Sequence, residues 1–275
     1  MPEGDTIFRA ARTLRRALAG KTVTRFETVL PQLQRVHDDT PVTGRTIEEI
    51  ASSGKWMTIH FSGNLVLLTH MLMSGSWHIY RPGERWQRPR YDMRIVVATQ
   101  QFEAVAFKVP VAEFHTPESL ARHPGFSQLG PDVLSSTFDE PRATASLRFQ
   151  PEMEIGQALL RQHVIAGLGN VYKSEICFAC RVNPFRKVVT LSDDEVSCII
   201  STARKLMVAN VSDPSGAQIV TYPGLRRTTR RANPGERLWV YGRAGRPCRR
   251  CGTAVASKKQ GPDARTTFWC PTCQP

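Results

Sequence analysis

Two short cysteine motifs near the C-terminus place the tightest limit on the structure of this chain. Cys248 and Cys251 form one C-x-x-C unit, Cys270 and Cys273 form a second, and 18 residues separate the two units. A two-residue gap lets both sulfurs of a turn face one ion, and two such turns complete a tetrahedral site with no open position for water. The spacing therefore predicts a finger that binds one structural Zn²⁺ ion through four thiolates.

The other three cysteines carry no such pattern. Cys177 and Cys180 also form a C-x-x-C unit, but it lies late in an apolar helical segment without a second pair nearby, so buried thiols are expected. Cys198 lies alone in a helical pattern and is expected in a core. The N-terminal residues are acidic and lack an apolar stretch, which indicates neither a secretory signal nor a transit peptide. We therefore expect a cytoplasmic protein with reduced thiols.

The net charge of the chain indicates which class of molecule it binds. The 275 residues include 37 Lys plus Arg and 24 Asp plus Glu, a formal net charge of +13, and the hydrophobic share of 41% is that of a globular protein. Residues 226–250 contain nine arginines and a single acid, Glu236. Such a run next to grouped cysteines predicts a surface that contacts phosphates. No apolar run approaches the length of a membrane span, so a membrane partner is not expected.

The first half of the chain has the pattern of a small helix followed by many strands. Ile7, Ala11, Leu14 and Leu18 recur at helical spacing, with Asp5 or Thr6 as the N-cap and Gly20 as the end of the helix. Short apolar runs then follow, separated in several places by Gly, Asn or Pro, at residues 23–30, 56–61, 65–68, 77–80, 93–98 and 102–107. Short strands without long intervening helices predict an antiparallel sandwich or barrel.

The second half changes to helical periodicity, at Ile155 to Val164, at Ile176 to Phe178 and at residues 196–208. The sequence thus predicts an α+β chain of three parts: a β-sandwich over residues 1–132, a helical domain over residues 133–235 and the finger over residues 236–275.

A glycine-rich turn joins two of the helical patterns. Gly167 and Gly169 allow a close backbone approach, Asn170 can cap the following helix, and the N-terminus of that helix favours an anion such as a DNA phosphate. An ordinary helix hairpin uses the same residues, so the turn alone leaves both interpretations open.

The N-terminus has its own chemistry. Removal of Met1 would expose the secondary amine of Pro2 beside the carboxylate of Glu3. A terminal amine is neutral nearer to physiological pH than a lysine side chain is, which suits a nucleophile, and an adjacent carboxylate can transfer protons. A disordered chain start is the competing interpretation.

Several motifs together resemble the Fpg/Nei family of DNA glycosylases with AP-lyase activity. They are Met1-Pro2-Glu3-Gly4, Ser53-Gly54-Lys55, His70-Met71-Leu72-Met73-Ser74-Gly75, the Gly167-Leu168-Gly169-Asn170-Val171-Tyr172 turn, Val240-Tyr241-Gly242-Arg243 and the four cysteines. The resemblance spans the whole chain. It implies a β-sandwich with an N-terminal helix, a helix-two-turn-helix domain and a zinc finger, with damaged duplex DNA bound in the cleft between them and one nucleotide flipped out.

The resemblance also implies roles for individual residues. Pro2 corresponds to the nucleophile that forms a Schiff base at C1′, Glu3 to the acid/base, and Lys55 to a lysine involved in base loss and elimination. Arg265 corresponds to the finger arginine that contacts phosphate and assists the second elimination, and Asn170 to the phosphate-binding asparagine.

Three further residues are implied DNA contacts. Leu72 and Met73 would be core residues from their apolar character alone, but in the family this turn presents wedges that fill the gap left by the flipped base. Gln128 aligns with a position where relatives carry a basic DNA-contacting residue.

The sequence departs from the Fpg branch in two places. The Asp-x-Arg-Arg-Phe-Gly motif of that branch is replaced by Ala106-Phe107-Lys108-Val109-Pro110-Val111, and Asp5-Thr6 replaces the commoner Pro-Glu pair. The pattern favours a Nei-like enzyme for oxidised pyrimidines. An 8-oxoguanine or formamidopyrimidine glycosylase and a non-catalytic DNA-binding protein are the alternatives. One lesion per molecule makes a monomer adequate, and residues 216–231 are a segment that could order over the flipped base.

Overall fold

The computed structural model describes residues 2–212, 219–221 and 237–275. They belong to two compact units, Met1–Gln128 (unit 1) and Leu129–Pro275 (unit 2). Most of the 216–231 segment and of the arginine-rich run before residue 237 therefore lies outside the described residues. Within the described ranges, no helix combines the length and apolar character that a bilayer crossing needs.

Unit 1 is built from eight strands and four helices. In chain order they are α1 (Gly4–Leu18), β1 (Arg25–Thr28), α2 (Pro31–Asp39), β2 (Ile47–Ser53), β3 (Trp56–Phe61), β4 (Leu65–His70), β5 (Ser76–Tyr80), β6 (Met93–Ala98), β7 (Glu103–Phe107), β8 (Val111–His115), α3 (Pro117–Ala121) and α4 (Pro124–Ser127).

The strands form two antiparallel four-stranded sheets, in the orders β1-β6-β7-β5 and β2-β3-β4-β8. The predicted sandwich and all six predicted strands are confirmed. β2 and β8 were not predicted. Both contain charged or partly exposed residues between the apolar ones, as at Glu48 and Glu49, so neither forms a clean apolar run.

A single apolar core joins α1 to residues of both sheets. Ile7, Leu14 and Leu18 pack in one cluster with residues such as Ile59 and Ile95. The predicted helical face is thus confirmed, and Gly20 follows the helix with a positive φ of +75°. The capping prediction was wrong, because Glu3 is the N-cap and no side chain caps the helix.

The described residues of unit 2 form four α-helices and one hairpin: α5 (Glu140–Arg148), α6 (Ile155–Ala158), α7 (Asn170–Ala179), α8 (Asp193–Ser212), β9 (Ala256–Gln260) and β10 (Arg265–Trp269). The periodicity at residues 155–164 predicted a longer helix than the structure contains, because α6 is a single turn. α7 and α8 match the predicted helices, and β9 pairs with β10 antiparallel in the finger.

One disulfide departs from the expected reduced thiols. Cys180, the C-cap of α7, is bonded to Cys198 in α8, 18 residues further along the chain. Cys177 is a fully buried free thiol as predicted, and desolvation raises its pKa to about 12. The C-x-x-C unit of α7 therefore divides into an inert thiol and a crosslink between helices.

Candidate functional site

The start of α1 fixes the candidate nucleophile and its neighbour. Glu3 has an extended backbone, and its carbonyl oxygen accepts hydrogen bonds from the amides of Thr6 and Ile7 at 3.0 and 3.1 Å. The Glu3 side chain is fully buried, whereas Pro2 is half-buried. The positive end of the helix dipole disfavours a protonated amine at Pro2, and burial holds the Glu3 carboxylate in place.

A second buried carboxylate lies in the first turn of the same helix. The side chain of Asp5 is fully buried and forms an ion pair with Arg9, with 3.0 Å between Oδ2 and Nη2. This pair occupies the position at which the sequence departs from the commoner Pro-Glu opening, and it leaves the charge of Asp5 compensated within α1.

Lys55 lies in the two-residue turn between β2 and β3. Ser53 pairs with Trp56 across the hairpin, and Gly54 has a positive φ of 57°, a conformation that favours glycine. The turn holds Lys55 half-buried next to the end of β4. Its ammonium group acts on His70 electrostatically, which shows that the two side chains are neighbours.

His70 was missed by the sequence analysis as a separate functional candidate. Desolvation, followed by the positive charge of Lys55, lowers the pKa of His70 to about 4. Its Nδ1 atom accepts a hydrogen bond of 3.0 Å from the backbone amide of Leu72. The low pKa and this hydrogen bond agree, because only an unprotonated Nδ1 can accept. His70 therefore links the lysine turn to the turn that follows β4.

That second turn presents two large apolar side chains to solvent. Leu72 is 48% exposed and Met73 is 57% exposed, while Met71 beside them is buried. Leu72 has a positive φ of 45°, which is uncommon for a residue other than glycine. A Cβ at Gly75 would lie 2.6 Å from the carbonyl oxygen of Met71, so only glycine fits there. The core interpretation of Leu72 and Met73 is thereby excluded.

The remaining unit 1 positions differ in environment. Gln128 is exposed at the C-cap of α4. Where the Fpg-branch motif is absent, Phe107 and Val109 are fully buried in the sandwich. Between them Lys108 has a positive φ of 49°, and its Nζ pairs with Oδ2 of Asp92 at 3.2 Å. This segment therefore packs its apolar side chains inward.

In unit 2, Asn170 connects the glycine-rich turn to the finger. Gly169 is the N-cap of α7 and Asn170 is its first residue, so the predicted capping by Asn170 was wrong. Instead the Nδ2 atom of Asn170 donates to the carbonyl oxygen of Thr266 at 2.9 Å. Arg265, the first residue of β10, is exposed beside it. The hydrogen bond thus joins Asn170 to the residue that directly follows Arg265 in β10.

Two buried charged residues of α7, which sequence analysis missed, attach the finger. Lys173 donates to Oγ1 of Thr267 at 2.5 Å. Both residues are fully buried, and so is Glu175. The Glu175 carboxylate accepts hydrogen bonds from three successive backbone amides at 2.8 to 2.9 Å and from the hydroxyl of Thr221; the amides belong to Trp239, Val240 and Tyr241. Three amides pointing at one anion resemble a backbone nest.

The four finger cysteines converge as the spacing predicted. Their sulfur atoms all lie within 4.8 Å of one another. Cys251 and Cys270 are 3.5 Å apart, and Cys248 and Cys273 are 3.9 Å apart. Four thiol sulfurs at these separations fit a tetrahedral Zn²⁺ site, so the finger has the donor set of a structural zinc.

Arg250 contacts both the cysteine cluster and α7. The backbone amide of Arg250 donates to the sulfur of Cys248 at 3.4 Å, but its guanidinium lies over the ring of Phe178, 4.4 Å from the centroid. The side chain therefore packs the finger on α7 through a cation–π contact.

Three family models match the chain. The Formamidopyrimidine-DNA glycosylase N-terminal domain matches residues 1–110, the Formamidopyrimidine-DNA glycosylase H2TH domain matches residues 129–221, and the zinc finger found in FPG and IleRS matches residues 245–275. These matches account for the sandwich, the helical region and the finger in chain order.

Bacterial relatives match along the full chain. A probable endonuclease 8 2 of Streptomyces coelicolor is 40% identical over 277 residues, which cover 100% of this chain and 94% of that protein. The DNA-(apurinic or apyrimidinic site) lyase Nei2 of Mycolicibacterium smegmatis is 36% identical, with 100% and 99% coverage. A solved structure of Lactococcus lactis Fpg with abasic-site DNA superposes with a TM-score of 0.82 at 22% identity, covering 99% of each chain.

The chain belongs to the Fpg/Nei family of DNA glycosylases. Within that family it is an endonuclease 8-like DNA glycosylase and AP lyase of base excision repair.

Proposed function

We propose that this enzyme removes oxidised pyrimidines from duplex DNA and cleaves the strand at the resulting abasic site by successive β- and δ-elimination. The observation that carries the proposal is the start of α1, where Pro2 precedes a helix N-terminus and the carboxylate of Glu3 is fully buried beside it. A buried carboxylate next to a terminal amine suits proton transfer at a covalent intermediate.

Chemistry begins once Met1 is removed. The neutral amine of Pro2 attacks C1′ of the flipped nucleotide, the glycosidic bond breaks, and its electron pair leaves with the base, which takes up a proton. The amine gives up its proton, the C1′–O4′ bond then breaks as O4′ takes up a proton, and the resulting iminium acidifies the C2′ proton. Loss of that proton expels the 3′ phosphate, and a second elimination expels the 5′ phosphate. Glu3 moves the protons that open the sugar ring and support these steps.

Lys55 assists base loss and elimination as a second proton-transfer group. Two structural observations support this role. A tight turn that contains Gly54 fixes Lys55, and the neutral side chain of His70 lies beside Lys55 without adding a competing positive charge. His70 also accepts from the amide of Leu72, so it positions the lysine and the exposed turn together.

DNA contacts follow from the exposed positions. Leu72 and Met73 fill the space left by the flipped base, supported by their exposure on a glycine-dependent turn. Asn170 and Arg265 bind phosphates, supported by the hydrogen bond that brings α7 to β10. Gln128 is assigned a weaker polar contact because it is exposed and uncharged.

Pyrimidine preference rests on the segment that replaces the Fpg-branch motif. Phe107 and Val109 belong to the core and Lys108 pairs with Asp92, so this turn supplies neither the arginine nor the phenylalanine of that branch. A formamidopyrimidine or 8-oxoguanine glycosylase is the second candidate, favoured by a 30% identical Heliobacterium modesticaldum relative named Formamidopyrimidine-DNA glycosylase.

The remaining assignments complete the proposal. The finger holds a single structural Zn²⁺, supported by its four close cysteines. The enzyme acts as a monomer on cytoplasmic DNA, with a catalytic domain over residues 1–132, a helix-two-turn-helix domain over 133–235 and the finger over 236–275.

A lesion panel tests the preference. Untagged enzyme is assayed in single turnover on matched duplexes that carry thymine glycol, dihydrouracil, or 8-oxoguanine placed opposite cytosine. The same lesion-containing strands are also assayed as single strands. We expect excision of both pyrimidines to be at least tenfold faster than that of 8-oxoguanine, and duplex to be preferred. Faster 8-oxoguanine excision would favour the second candidate.

Two variants separate chemistry from binding. Glu3→Gln keeps the shape of the buried side chain and should slow excision by about 10² to 10⁴ while leaving affinity for an abasic-site analogue unchanged. Glu118→Gln, an exposed carboxylate of unit 1, serves as the matched control and should behave as the parent enzyme. Absence of excision on every lesion by the parent enzyme would instead support the DNA-binding alternative.

A further inference from the structure

Outside the candidate active site, three metal-ligating side chains of unit 1 converge at the end of β8. Glu113 and His115 lie two residues apart on this strand, so their side chains point to the same face. His123, the N-cap of α4, reaches the same point from the segment that follows. One donor atom from each of the three lies within 4.8 Å of the other two.

The separations match those of ligands around one small cation. Oε2 of Glu113 is 3.0 Å from Nε2 of His115 and 3.5 Å from Nε2 of His123. Donor atoms of a tetrahedral zinc site, each about 2.0–2.1 Å from the metal, lie about 3.3 Å apart. The two histidine side chains are largely buried, whereas Glu113 is 44% exposed. The carboxylate therefore leaves a route from solvent.

A hydroxyl holds His115 at its other ring nitrogen. The Oγ atom of Ser119 lies 3.1 Å from Nδ1 of His115 and 3.1 Å from the carbonyl oxygen of Thr116. Ser119 thereby fixes the orientation of the imidazole ring, which directs Nε2 towards Glu113.

Nε2 of His115 lies 3.0 Å from the carboxylate oxygen of Glu113. Two observations favour a metal ion shared by these groups over a direct hydrogen bond alone. His123 supplies a second imidazole nitrogen at the same carboxylate oxygen, and Ser119 orients His115 as outer-shell partners orient zinc-ligating histidines.

We propose that Glu113, His115 and His123 form a second metal site, specific for divalent cations of the Zn²⁺ class. Two imidazole nitrogens and one carboxylate oxygen are a common donor set for zinc, and three protein ligands leave one position for water. The site lies in unit 1 and shares no residue with the four-cysteine finger of unit 2. Bound metal ties α4 to β8.

Zinc stoichiometry is the direct test. The full-length protein is dialysed against a buffered series of free Zn²⁺ concentrations, and zinc per chain is measured by mass spectrometry. We expect one tightly bound zinc from the finger and a second at higher free Zn²⁺. In Glu113→Gln and His115→Gln the affinity for the second zinc should fall at least 100-fold, while the finger zinc remains.

Glu118→Gln provides the matched control, because it removes an exposed carboxylate five residues away without touching the cluster; it should still bind two zinc ions. Circular dichroism establishes that each variant is folded. A parent protein that saturates at one zinc, or a second zinc that survives in both ligand variants, overturns the proposal and leaves a direct hydrogen bond between Glu113 and His115.

Tryptophan fluorescence gives an independent readout in the unaltered protein. The ring of Trp56 lies 5.2 Å from that of His123, so Cu²⁺ bound at the cluster should quench it. The quenching should be saturable, displaced by Zn²⁺ and lost in Trp56→Phe. Quenching that persists unchanged in Trp56→Phe would place the copper elsewhere and contradict the site.

Discussion

The two units hold their candidate functional residues in opposite ways. In unit 1 the residues stand on tight turns above an apolar core: Lys55 follows a glycine with positive φ, and Leu72 and Met73 project from a turn closed by Gly75. In unit 2, Arg265 is exposed but Asn170 is buried, and buried hydrogen bonds that Lys173 donates and Glu175 accepts connect α7 to the finger.

The two arrangements suit different tasks: that of unit 1 suits catalysis, and that of unit 2 suits attachment of the finger. Turns on a rigid sandwich fix single side chains, which suits chemistry at one nucleotide. A buried polar network fixes one element against another, and each unmatched group in it is costly because the surroundings exclude water. Damage to unit 1 turns should therefore lower activity, whereas damage to the unit 2 network should lower stability and DNA affinity together.

Zinc removal should have the largest effect. Structural zinc contributes about 10–16 kcal/mol to finger peptides, so Cys270→Ser or chelation should unfold the finger and lower DNA affinity about 100-fold. Unit 1 should stay folded. Fluorescence anisotropy with an abasic-site duplex and circular dichroism measure the two effects, with zinc re-addition to the chelated parent as the control. Unchanged affinity without zinc would contradict the attachment role.

The substitution Glu175→Gln should have the second-largest effect, a loss of stability. Glutamine has one acceptor oxygen for three backbone amides, which leaves buried donors unmatched and should lower the free energy of unfolding by about 3–5 kcal/mol. Urea unfolding of the zinc-loaded protein measures it. Glu152→Gln, in an exposed pair with Lys187, should cost under about 0.5 kcal/mol. Equal losses in both variants would refute the buried network.

The disulfide provides a third comparison within unit 2. Closing a loop of 18 residues stabilises a protein by about 3 kcal/mol in the chain-entropy model. Cys180→Ser or reduction should lower the free energy of unfolding by that amount. Cys177→Ser alters a buried thiol of the same helix but leaves the crosslink, so reduction should still destabilise this variant. No response to reductant in the parent protein would show that Cys180 and Cys198 remain thiols.

The smallest expected effect concerns His70. Its pKa is about 4 when folded and 6.5 when free, so the unfolded chain binds a proton that the folded protein does not in the window between these values. The free energy of unfolding should therefore fall as pH decreases from about 6.5 to 4, by about 2 kcal/mol after allowing for partial exposure. His70→Gln should lose this component of the pH profile. An unchanged profile would show that His70 does not carry it.

The sequence predicted the fold where a signal was local. Six strands, the face of α1 and the finger cysteines follow from apolar runs, helical spacing and C-x-x-C units. β2 was missed because Glu48 and Glu49 interrupt its apolar pattern. The bond between Cys180 and Cys198 could not be predicted, since 18 residues and two helices separate them.

The candidate site was predictable to the extent that its residues belong to short sequence motifs. Asn170 was predicted as a site residue. Its hydrogen bond to Thr266 was not, because the two residues are 96 positions apart and no local sequence pattern indicates the contact. Lys173 and Glu175 resemble ordinary solvated helix residues, yet α7 is buried on nearly every side. Buried polar networks depend on which elements meet, and that information is not local in sequence.

Borohydride trapping on a duplex with an abasic site, followed by peptide mapping, determines whether Pro2 is the nucleophile. The native N-terminus is compared with a variant that carries extra residues before Pro2. We expect a covalent adduct at Pro2 in the native protein and none at that position in the extended one. An adduct at a lysine, or full activity of the extended protein, would contradict an N-terminal proline nucleophile.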